Sequence, residues 1–378
     1  MKIEAFALER WLTTHELNVK YDIAESGILP LKTSELLAFE PKEERETTLE
    51  RLLNLPLGYN EAVGTKALRS AIAATYADCG PDQILVTTGA IEANFLLFNT
   101  LLEPGDHVVA IYPAYQQLYS VPKAIGCEVT LWPIQRDGGF HYDLALLEKL
   151  VTQRTRMIVI NTPHNPTGAM LSPAELQRIY ALAEAIGAWV LCDEAYRWIE
   201  VPGGKPFGPP MADFGKHGIS VGTVSKPFGL PGLRLGWIAA PADVVAQCWA
   251  MRDYLSLSPG KLSDALALLA FKHREKIMAR NRTIITTNLQ STTEWVAANA
   301  AFLSWQPPQG GLLALLHYEL DLPSRELADQ LATDYSVMLA PGSAFGYESH
   351  LRIGIGQHPT IFQAGLAGAQ ACFDALLA

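Results

Sequence analysis

A lysine stands in a stretch of the chain that is built mainly from glycine, proline and apolar side chains. Residues 222–237 read GTVSKPFGLPGLRLGW, with Lys226 between Ser225 and Pro227. Burial of an amine favours its neutral form, which is a nucleophile, so a lysine in these surroundings is suited to covalent chemistry. A neutral ε-amine can condense with a carbonyl group to form an imine and can then carry a proton. Lys226 is therefore the first candidate for a catalytic residue.

Polar or glycine-rich residues also follow other apolar runs that we predict to be β-strands. They are Thr88 and Gly89 after ILVT, Tyr112–Tyr115 after HVVAI, Asn161–Gly168 after RMIVI, Asp193–Tyr196 after WVLC and Thr223–Lys226 after GISVG. In a parallel α/β sheet the ligand binds in the crevice at the carboxyl ends of the strands. These residue types together predict a site for a phosphorylated aromatic cofactor that forms an imine with an amine. Pyridoxal phosphate meets that description.

The elements that position these residues alternate in type. Seven short β-rich runs are ILVTTG, HVVAIYP, EVTLWP, RMIVINTP, WVLCDEAY, GISVGTVS and LRLGWIAA. Their spacing leaves room for helices such as LSPAELQRIYALAEAIGA, which predicts an α/β fold with a mostly parallel seven-stranded sheet and helices on both faces. The last two runs are too close together for a helical crossover, so we expect LRLGWIAA to run antiparallel.

The pattern changes after Pro241 to long helical stretches, followed by short strands around GLLALLHYEL and HLRIGIG. This change predicts a second, smaller α+β domain. We expect residues 46–245 to form the large cofactor-binding domain, and residues 1–45 and 246–378 to form the small domain.

The composition limits the class of partner. Of 378 residues, 29 are Lys or Arg and 39 are Asp or Glu, a formal charge of −10, so we expect neither nucleic acid nor a membrane surface as a partner. The amino terminus does not read as a secretory signal, and five scattered cysteines lack the spacing of a disulfide framework or a metal site. A cytoplasmic location is expected. The absence of a G-x-G-x-x-G turn argues against a nicotinamide oxidoreductase.

Three motifs carry a family resemblance through their order and spacing. They are NTPHNPTG at 161–168, CDEAY at 192–196 and SKPFGLPGLRLGW at 225–237. With them the chain resembles the class I/II aminotransferase family, the fold type I enzymes that use pyridoxal phosphate, over essentially its whole length. The resemblance implies free α-amino acids as substrates and a homodimer with shared active sites.

The resemblance also implies roles for the residues that face the ring of the cofactor. Lys226 would hold the cofactor covalently and then act as base and acid at the α-carbon. Asp193 would be the buried carboxylate that keeps the pyridine nitrogen protonated. Asn165 and Tyr196 would hydrogen-bond the phenolate oxygen of the ring, and Tyr115 would stack on its face. Lys226, Asp193 and Tyr196 are thus the expected catalytic residues.

The phosphate of the cofactor is expected where TTGAIEANFLLF turns from a strand into a helix, because backbone amides at a helix amino terminus favour anions. The expected contacts are the backbone amides of Gly89, Ala90 and Ile91, and the resemblance implies that the side chains of Thr223, Ser225 and Arg234 contact the same phosphate. The resemblance further implies that Tyr59, in LGYNEAVG, reaches the phosphate of the neighbouring subunit.

Arg352, in SHLRIGIG, corresponds by the same resemblance to the arginine that grips the α-carboxylate of the substrate. Gly27 and Asn161 are expected at the same end of the site. The substrate is then a free α-amino acid, and its side chain is recognised elsewhere in the pocket.

Two further stretches bear on the reaction. Residues 8–28, LERWLTTHELNVKYDIAESGI, and 252–264, RDYLSLSPGKLSD, resemble the corresponding parts of capreomycidine synthases. This likeness implies that a hydroxylated arginine loses water and that its guanidine nitrogen closes a ring. CDEAY and NPTG have the form usual in ordinary aminotransferases, so transfer of the amino group to a 2-oxo acid stays open. A guanidinium needs carboxylate partners, and of Glu9, Asp22 and Glu25 we expect Glu9 and Glu25 to bind the substrate.

Overall fold

Helices and strands alternate through the first two thirds of the chain. The computed structural model describes residues 2–137 and 139–378. Within these residues the α-helices are α1 (Ala7–His15), α2 (Thr33–Leu37), α3 (Lys42–Leu53), α4 (Lys66–Ala73), α5 (Ala90–Leu101), α6 (Gln117–Ile125), α7 (Leu144–Leu150), α8 (Pro173–Glu184), α9 (Ala242–Arg252), α10 (Lys261–Lys272), α11 (Arg274–Ala298), α12 (Ser324–Asp334) and α13 (Pro359–Leu377). The strands are β1 (Tyr21–Asp22), β2 (Ile84–Thr87), β3 (His107–Tyr112), β4 (Glu128–Pro133), β5 (Thr155–Asn161), β6 (Trp189–Asp193), β7 (Gly218–Thr223), β8 (Gly236–Ala239), β9 (Leu303–Trp305), β10 (Leu313–Tyr318), β11 (Val337–Met338), β12 (Ala340–Pro341) and β13 (His350–Gly354).

The large sheet has the order β2-β8-β7-β6-β5-β3-β4. β8 runs antiparallel to both of its neighbours, and the other pairs are parallel. Both sequence predictions are confirmed, since all seven β-rich runs enter this sheet and LRLGWIAA contains its antiparallel strand. The central strands are almost entirely buried, as expected of apolar runs that are covered by helices on both faces.

The smaller lobe is built on an antiparallel sheet of order β12-β13-β10-β9, with a separate parallel pair formed by β1 and β11. The predicted strands in GLLALLHYEL and HLRIGIG are β10 and β13, so this part of the fold is also confirmed. Leu8 and Trp11 of α1 share the apolar core of this lobe. Leu36 and Leu37 of α2 instead pack with α4, α10 and the β2–β8 edge of the large sheet. The domain limits at residues 45 and 245 stay predictions.

The segment between β1 and α2 lies directly against the end of β13. The amide of Gly354 donates to the carbonyl of Ile23 at 2.9 Å, and the amide of Leu29 donates to the carbonyl of Gly356 at 2.7 Å. A Cβ atom on Gly354 would lie only 2.0 Å from the carbonyl oxygen of Glu25. Glycine is therefore required for this close approach, which holds residues 23–29 at the mouth of the cavity described below.

Across the parts of the chain that the structure describes, no helix combines the length and the apolar character needed to cross a lipid bilayer.

Candidate active site

A cavity of about 460 Å³ opens at the carboxyl ends of the strands in the large sheet. It is lined by most of the residues that the sequence singled out, namely Glu9, Ala90, Ile91, Tyr115, Asn161, Asn165, Asp193, Tyr196, Thr223, Ser225, Lys226 and Arg234. A larger groove of about 1120 Å³ lies between α3, α4 and α10, but among the described residues none of the predicted site residues lines it. The smaller cavity is therefore the candidate active site.

Four other predicted residues adjoin this cavity through contacts with its lining. Gly89 packs against the guanidinium of Arg234, and Gly27 lies beside Glu25 and Lys226. The Glu25 carboxylate is 3.5 Å from the ε-amine of Lys226. Arg352 donates to Asn165. Tyr59 differs from all of these, because it is 84% exposed and does not line the cavity.

Asp193 ends β6 and points its carboxylate into the floor of the cavity. Its Oδ2 accepts a hydrogen bond from Asn94 Nδ2 at 2.8 Å, and its Oδ1 accepts from the amide of Ala195 at 3.0 Å. Burial raises the pKa of Asp193, while these two donors act in the opposite direction. Within residues 2–137 and 139–378 no basic side chain forms an ion pair with this carboxylate, so a cation that entered the cavity would stabilise its charge.

Lys226 follows β7 and lines the same cavity. Its ε-amine donates to Ser26 Oγ at 2.7 Å and lies 3.5 Å from Glu25 Oε1. The lysine side chain is 25% exposed, so a small molecule in the cavity can reach the amine.

The amino terminus of α5 forms an anion-binding corner together with Arg234. Gly89 has a φ of 85°, and a Cβ atom at this position would lie 2.7 Å from Arg234 Nη2, so only glycine allows the guanidinium to come this close. Arg234 Nη1 is 3.5 Å from Ser225 Oγ, which accepts from Thr223 Oγ1 at 3.0 Å. Backbone amides, two hydroxyls and a guanidinium at one helix end are the donors that a phosphate prefers.

Arg352 is 1% exposed and lies between the two lobes. Its Nη1 donates to Asn165 Oδ1 at 3.2 Å, and its Nη2 donates to the carbonyl of Ala24 at 2.9 Å. Its Nε is buried and has no hydrogen-bond partner among the described residues. A substrate carboxylate would supply the missing acceptor.

Asn161 lines the cavity, but both ends of its side-chain amide are already used within the protein. Nδ2 donates to the carbonyl of Asp193 at 2.9 Å, and Oδ1 accepts from the amide of Asn165 at 2.8 Å. In this arrangement Asn161 ties the ends of β5 and β6 together and sets the position of Asn165.

Two tyrosines line the cavity together with Asp193. Tyr115 donates from its hydroxyl to Glu9 Oε1 at 3.2 Å, and its ring contacts Phe6. Burial raises the pKa of both Tyr115 and Tyr196, so both phenols stay protonated and can donate hydrogen bonds.

The structure adds residues that the sequence did not indicate. Asn94, Ser26, Arg10 and Thr13 line the cavity as well. Asn94 had a weak signal, since it is a polar residue inside the apolar stretch ANFLLF of α5. Ser26 had none, because its contact with Lys226 joins positions 200 residues apart.

Asp22 lies beside the cavity, and its environment makes a testable prediction. Burial and the charge of Glu25 raise its pKa from 3.8 to about 6, although the amides of Ala24 and Glu25 and the charge of Arg352 oppose this shift. The folded chain then holds the proton more tightly than the unfolded chain. The resulting penalty to stability is absent below pH 3.8, grows between pH 3.8 and about 6, and is constant above that range.

We therefore expect Asp22→Asn to raise the free energy of unfolding at pH 7.5 by roughly 3 kcal/mol and to leave it almost unchanged at pH 3.5. Asparagine keeps the side-chain oxygen that accepts from the amides of Ala24 and Glu25 at 2.9 Å. Urea denaturation at the two pH values measures the difference. Asp321→Asn, at an exposed position, serves as the control, and an equal gain in both variants would contradict the assignment.

The residues present suit pyridoxal phosphate. Asp193 is a buried carboxylate that lacks a cation, as the partner of a protonated pyridine nitrogen should be. The corner at α5 offers donors for a phosphate, and Lys226 offers an amine in the same cavity. Asn165 Nδ2 and the Tyr196 hydroxyl supply neutral donors between these two ends.

Comparisons with known proteins agree with this chemistry. Residues 29–362 match the family described as Aminotransferase class I and II. Capreomycidine synthase of Streptomyces vinaceus is 33% identical over 369 residues, which cover 97% of this chain and 92% of that protein. A PLP-dependent aminotransferase from Streptococcus suis 89-1591 has a structure with a TM-score of 0.93 and 34% identity, covering 100% of this chain and 99% of that one. The PLP-dependent cyclase OrfR gives a TM-score of 0.89 and 32% identity, covering 99% and 98% of the two chains.

The family match spans most of the chain, and the lysine and the carboxylate that the cofactor needs line one cavity. This chain belongs to the class I and II aminotransferase family and is an enzyme whose cofactor is pyridoxal phosphate.

Proposed function

We propose that this enzyme removes water from a hydroxylated arginine and closes the guanidine nitrogen onto the side chain, giving a cyclic guanidino amino acid of the capreomycidine or enduracididine type. The similarity to capreomycidine synthase and to the cyclase OrfR supports this choice among the reactions of the cofactor. The observation that carries it is the position of Glu9, whose carboxylate lines the cavity and accepts from the hydroxyl of Tyr115 at 3.2 Å.

Three carboxylates lie within electrostatic reach of Arg352. The charges of Glu25, Asp22 and Glu9 all oppose the fall in the pKa of Arg352 that burial causes. If Arg352 holds the α-carboxylate of the substrate, the carboxylates that Arg352 does not neutralise can attract a guanidinium at the other end of the substrate. Glu9 is the proposed main partner of that guanidinium, and Glu25 is the second.

Each residue of the site then has a separate role in the reaction. Arg352 and Asn165 orient the α-amino acid, Asp193 stabilises a cationic ring nitrogen, and the corner formed by α5, Ser225 and Arg234 fixes the phosphate. Bound pyridoxal phosphate supplies an electron sink for the bond that breaks at the α-carbon. Lys226 takes the α-proton, and the same ε-ammonium can return it to the departing hydroxyl, which leaves as water. Ring closure by the guanidine nitrogen releases one further proton, which Lys226 returns to the α-carbon, so that the net change is the loss of one water.

Transamination is the second candidate, and one observation favours it. Arg10 lines the same cavity next to Glu9, and a guanidinium there could bind the side-chain carboxylate of a dicarboxylic amino donor. The similarity to the Streptococcus suis aminotransferase supports this reading as well. Lys226 would in that case return the proton to the cofactor instead of to the substrate, and hydrolysis would release a 2-oxo acid.

Mass spectrometry of the products separates the two reactions. The holoenzyme is incubated with a panel of amino acids that includes hydroxylated arginines, with and without a 2-oxo acid acceptor. Loss of one water from a hydroxylated arginine without an acceptor supports the cyclase. A 2-oxo acid whose formation continues only with an acceptor overturns the cyclase in favour of transamination.

The proposed guanidinium partner predicts a selective loss. Glu9→Gln should lower kcat/KM for guanidino amino acids by roughly 10- to 100-fold, because a charge-assisted contact becomes a neutral one. Its effect on neutral amino acids should stay below about threefold. Glu16→Gln, at the exposed end of α1, is the matched control. Unchanged turnover of guanidino amino acids after Glu9 and Glu25 are both replaced by glutamine would rule out the pairing.

We also propose that the enzyme is a homodimer in the cytoplasm. Leu53, Leu57, Tyr59, Tyr254 and Leu255 are large apolar side chains that are at least half exposed. A second subunit that covers them would bring the exposed Tyr59 to the phosphate corner of its partner, as the family resemblance implies. The five cysteines are free thiols, which suits a reducing compartment. Sedimentation at a mass of twice 41.3 kDa is the result expected of the dimer.

A further inference from the structure

Ser26 occupies a special position next to the reacting amine. Its Oγ lies 2.7 Å from the ε-amine of Lys226 and accepts a hydrogen bond from it. Ser26 is also part of the cavity lining, so its contact with Lys226 is made at the wall of the cavity. The other acceptor near this amine, Glu25 Oε1, is at 3.5 Å and belongs to a side chain that is 51% exposed. Ser26 is therefore the shorter and better shielded of the two contacts.

The backbone on both sides of Ser26 is tightly held. The carbonyl of Ala24 accepts from Arg352 Nη2 at 2.9 Å, and the amide of Leu29 donates to the carbonyl of Gly356 at 2.7 Å. A Cβ atom on Gly356 would lie 2.3 Å from the carbonyl oxygen of Gly27, so the two segments are in direct backbone contact. The position of the Ser26 hydroxyl is thus set by the chain segment that carries Arg352. Its distance from the place where Arg352 would bind the α-carboxylate of the substrate is therefore fixed.

The same hydroxyl also acts on Tyr196. Burial raises the pKa of Tyr196, and a hydrogen bond from Ser26 lowers it. Since Lys226 donates to the oxygen of Ser26, the hydroxyl proton of Ser26 remains available for the phenolic oxygen. Ser26 therefore contacts the amine of Lys226 directly and also acts on the phenol of Tyr196.

During turnover the ε-amine of Lys226 must be free to take a proton from the α-carbon and give it back. A lysine side chain has four rotatable carbon–carbon bonds, so a free amine without a fixed acceptor samples many positions, most of them unproductive. We propose that Ser26 is a catalytic residue that holds the released ε-amine of Lys226 in the cavity for proton transfer. This role is the same for dehydration and for transamination, so it does not depend on the choice between them.

The test compares Ser26→Ala with the parent holoenzyme on two probes, α-deuterated L-arginine and α-deuterated L-glutamate, in ordinary water. Loss of deuterium from the α-carbon reports the proton transfer by Lys226 before the two reactions diverge. For any probe that exchanges, we expect the maximal rate to fall roughly 10- to 100-fold, with KM and the dissociation constant of pyridoxal phosphate within about twofold of the parent. Ser26→Thr keeps the hydroxyl and should recover most of the rate. Ser34→Ala, on the exposed face of α2, is the control.

A second measurement uses the cofactor-free protein and needs no substrate. The rate at which an acylating reagent labels Lys226, followed by peptide mass spectrometry at pH 7.5, should rise roughly threefold in Ser26→Ala, because the amine loses the hydroxyl that holds it at 2.7 Å and becomes freer to reach the reagent. An unchanged labelling rate overturns the proposal. An exchange rate of Ser26→Ala within twofold of the parent also overturns it. So does a fall in the exchange rate that is accompanied by a comparable loss of affinity for pyridoxal phosphate and by a lower midpoint of thermal unfolding. Faster exchange of arginine than of glutamate bears only on the substrate class.

Discussion

Replacing Lys226 by alanine is expected to lower the rate of turnover by about 10⁴-fold or more. Two losses combine in this variant, because the amine that bonds to the cofactor and the base that moves the α-proton are the same group. Steady-state assays with the substrate found in the product panel measure the rate. Reduction with borohydride followed by peptide mass spectrometry measures the covalent link, which should be present in the parent and absent in Lys226→Ala.

The variant should still fold and still bind the cofactor without a covalent bond. Among the described residues the hydrogen bonds of the Lys226 side chain go to Ser26 and Glu25, and the phosphate corner at α5, Ser225 and Arg234 is untouched. Lys123→Ala, at the surface of α6, controls for the loss of a positive charge. Turnover within tenfold of the parent, or borohydride labelling at a different lysine, would remove Lys226 from the centre of the mechanism.

The large sheet was predictable because its central strands are buried on both faces and therefore read as short apolar runs. MIVI in β5 and VLCD in β6 are examples, and each is followed at once by the polar residues of the cavity. The antiparallel direction of β8 followed from chain length alone, since the residues between Thr223 and Gly236 cannot span the sheet with a helix. Once the strands are in order, the rule that ligands bind at their carboxyl ends brings Asp193 and Lys226 together.

The substrate end of the site was less predictable, because it is made by contacts between distant parts of the chain. The bond from Tyr115 to Glu9 joins residues 106 positions apart, and the bond from Arg352 to Ala24 joins residues 328 positions apart. Neither the periodicity of the sequence nor the order of the strands reveals such long-range contacts. Ser26 illustrates the limit, since a serine before a glycine in a loop looks like an ordinary turn residue until the fold brings Lys226 beside it.

Asp193→Asn is expected to lower kcat by roughly 10³-fold, because asparagine cannot balance the charge of a protonated ring nitrogen at the floor of the cavity. The change is close to isosteric. Asn94 Nδ2 donates to Asp193 Oδ2, and Asn94 Oδ1 is buried with no partner among the described residues. If the amide of Asn94 turns over, its oxygen accepts from the new side-chain amide at position 193, and the hydrogen bond survives with donor and acceptor exchanged.

The stability of the cofactor-free protein should move in the opposite direction. Burial raises the pKa of Asp193, so the folded chain holds the proton more tightly than the unfolded chain. The resulting penalty is absent at acid pH and grows as the pH rises above the ordinary carboxyl range, so Asp193→Asn relieves it at neutral pH. Thermal unfolding of the cofactor-free proteins at pH 7.5 should therefore show a higher midpoint for Asp193→Asn than for the parent, and saturating pyridoxal phosphate should stabilise the parent more than the variant. Asp143→Asn, at the amino-terminal cap of α7, is the control. If Asp193→Asn lowered both the activity and the midpoint of thermal unfolding, Asp193 would support the fold rather than the charge of the ring nitrogen.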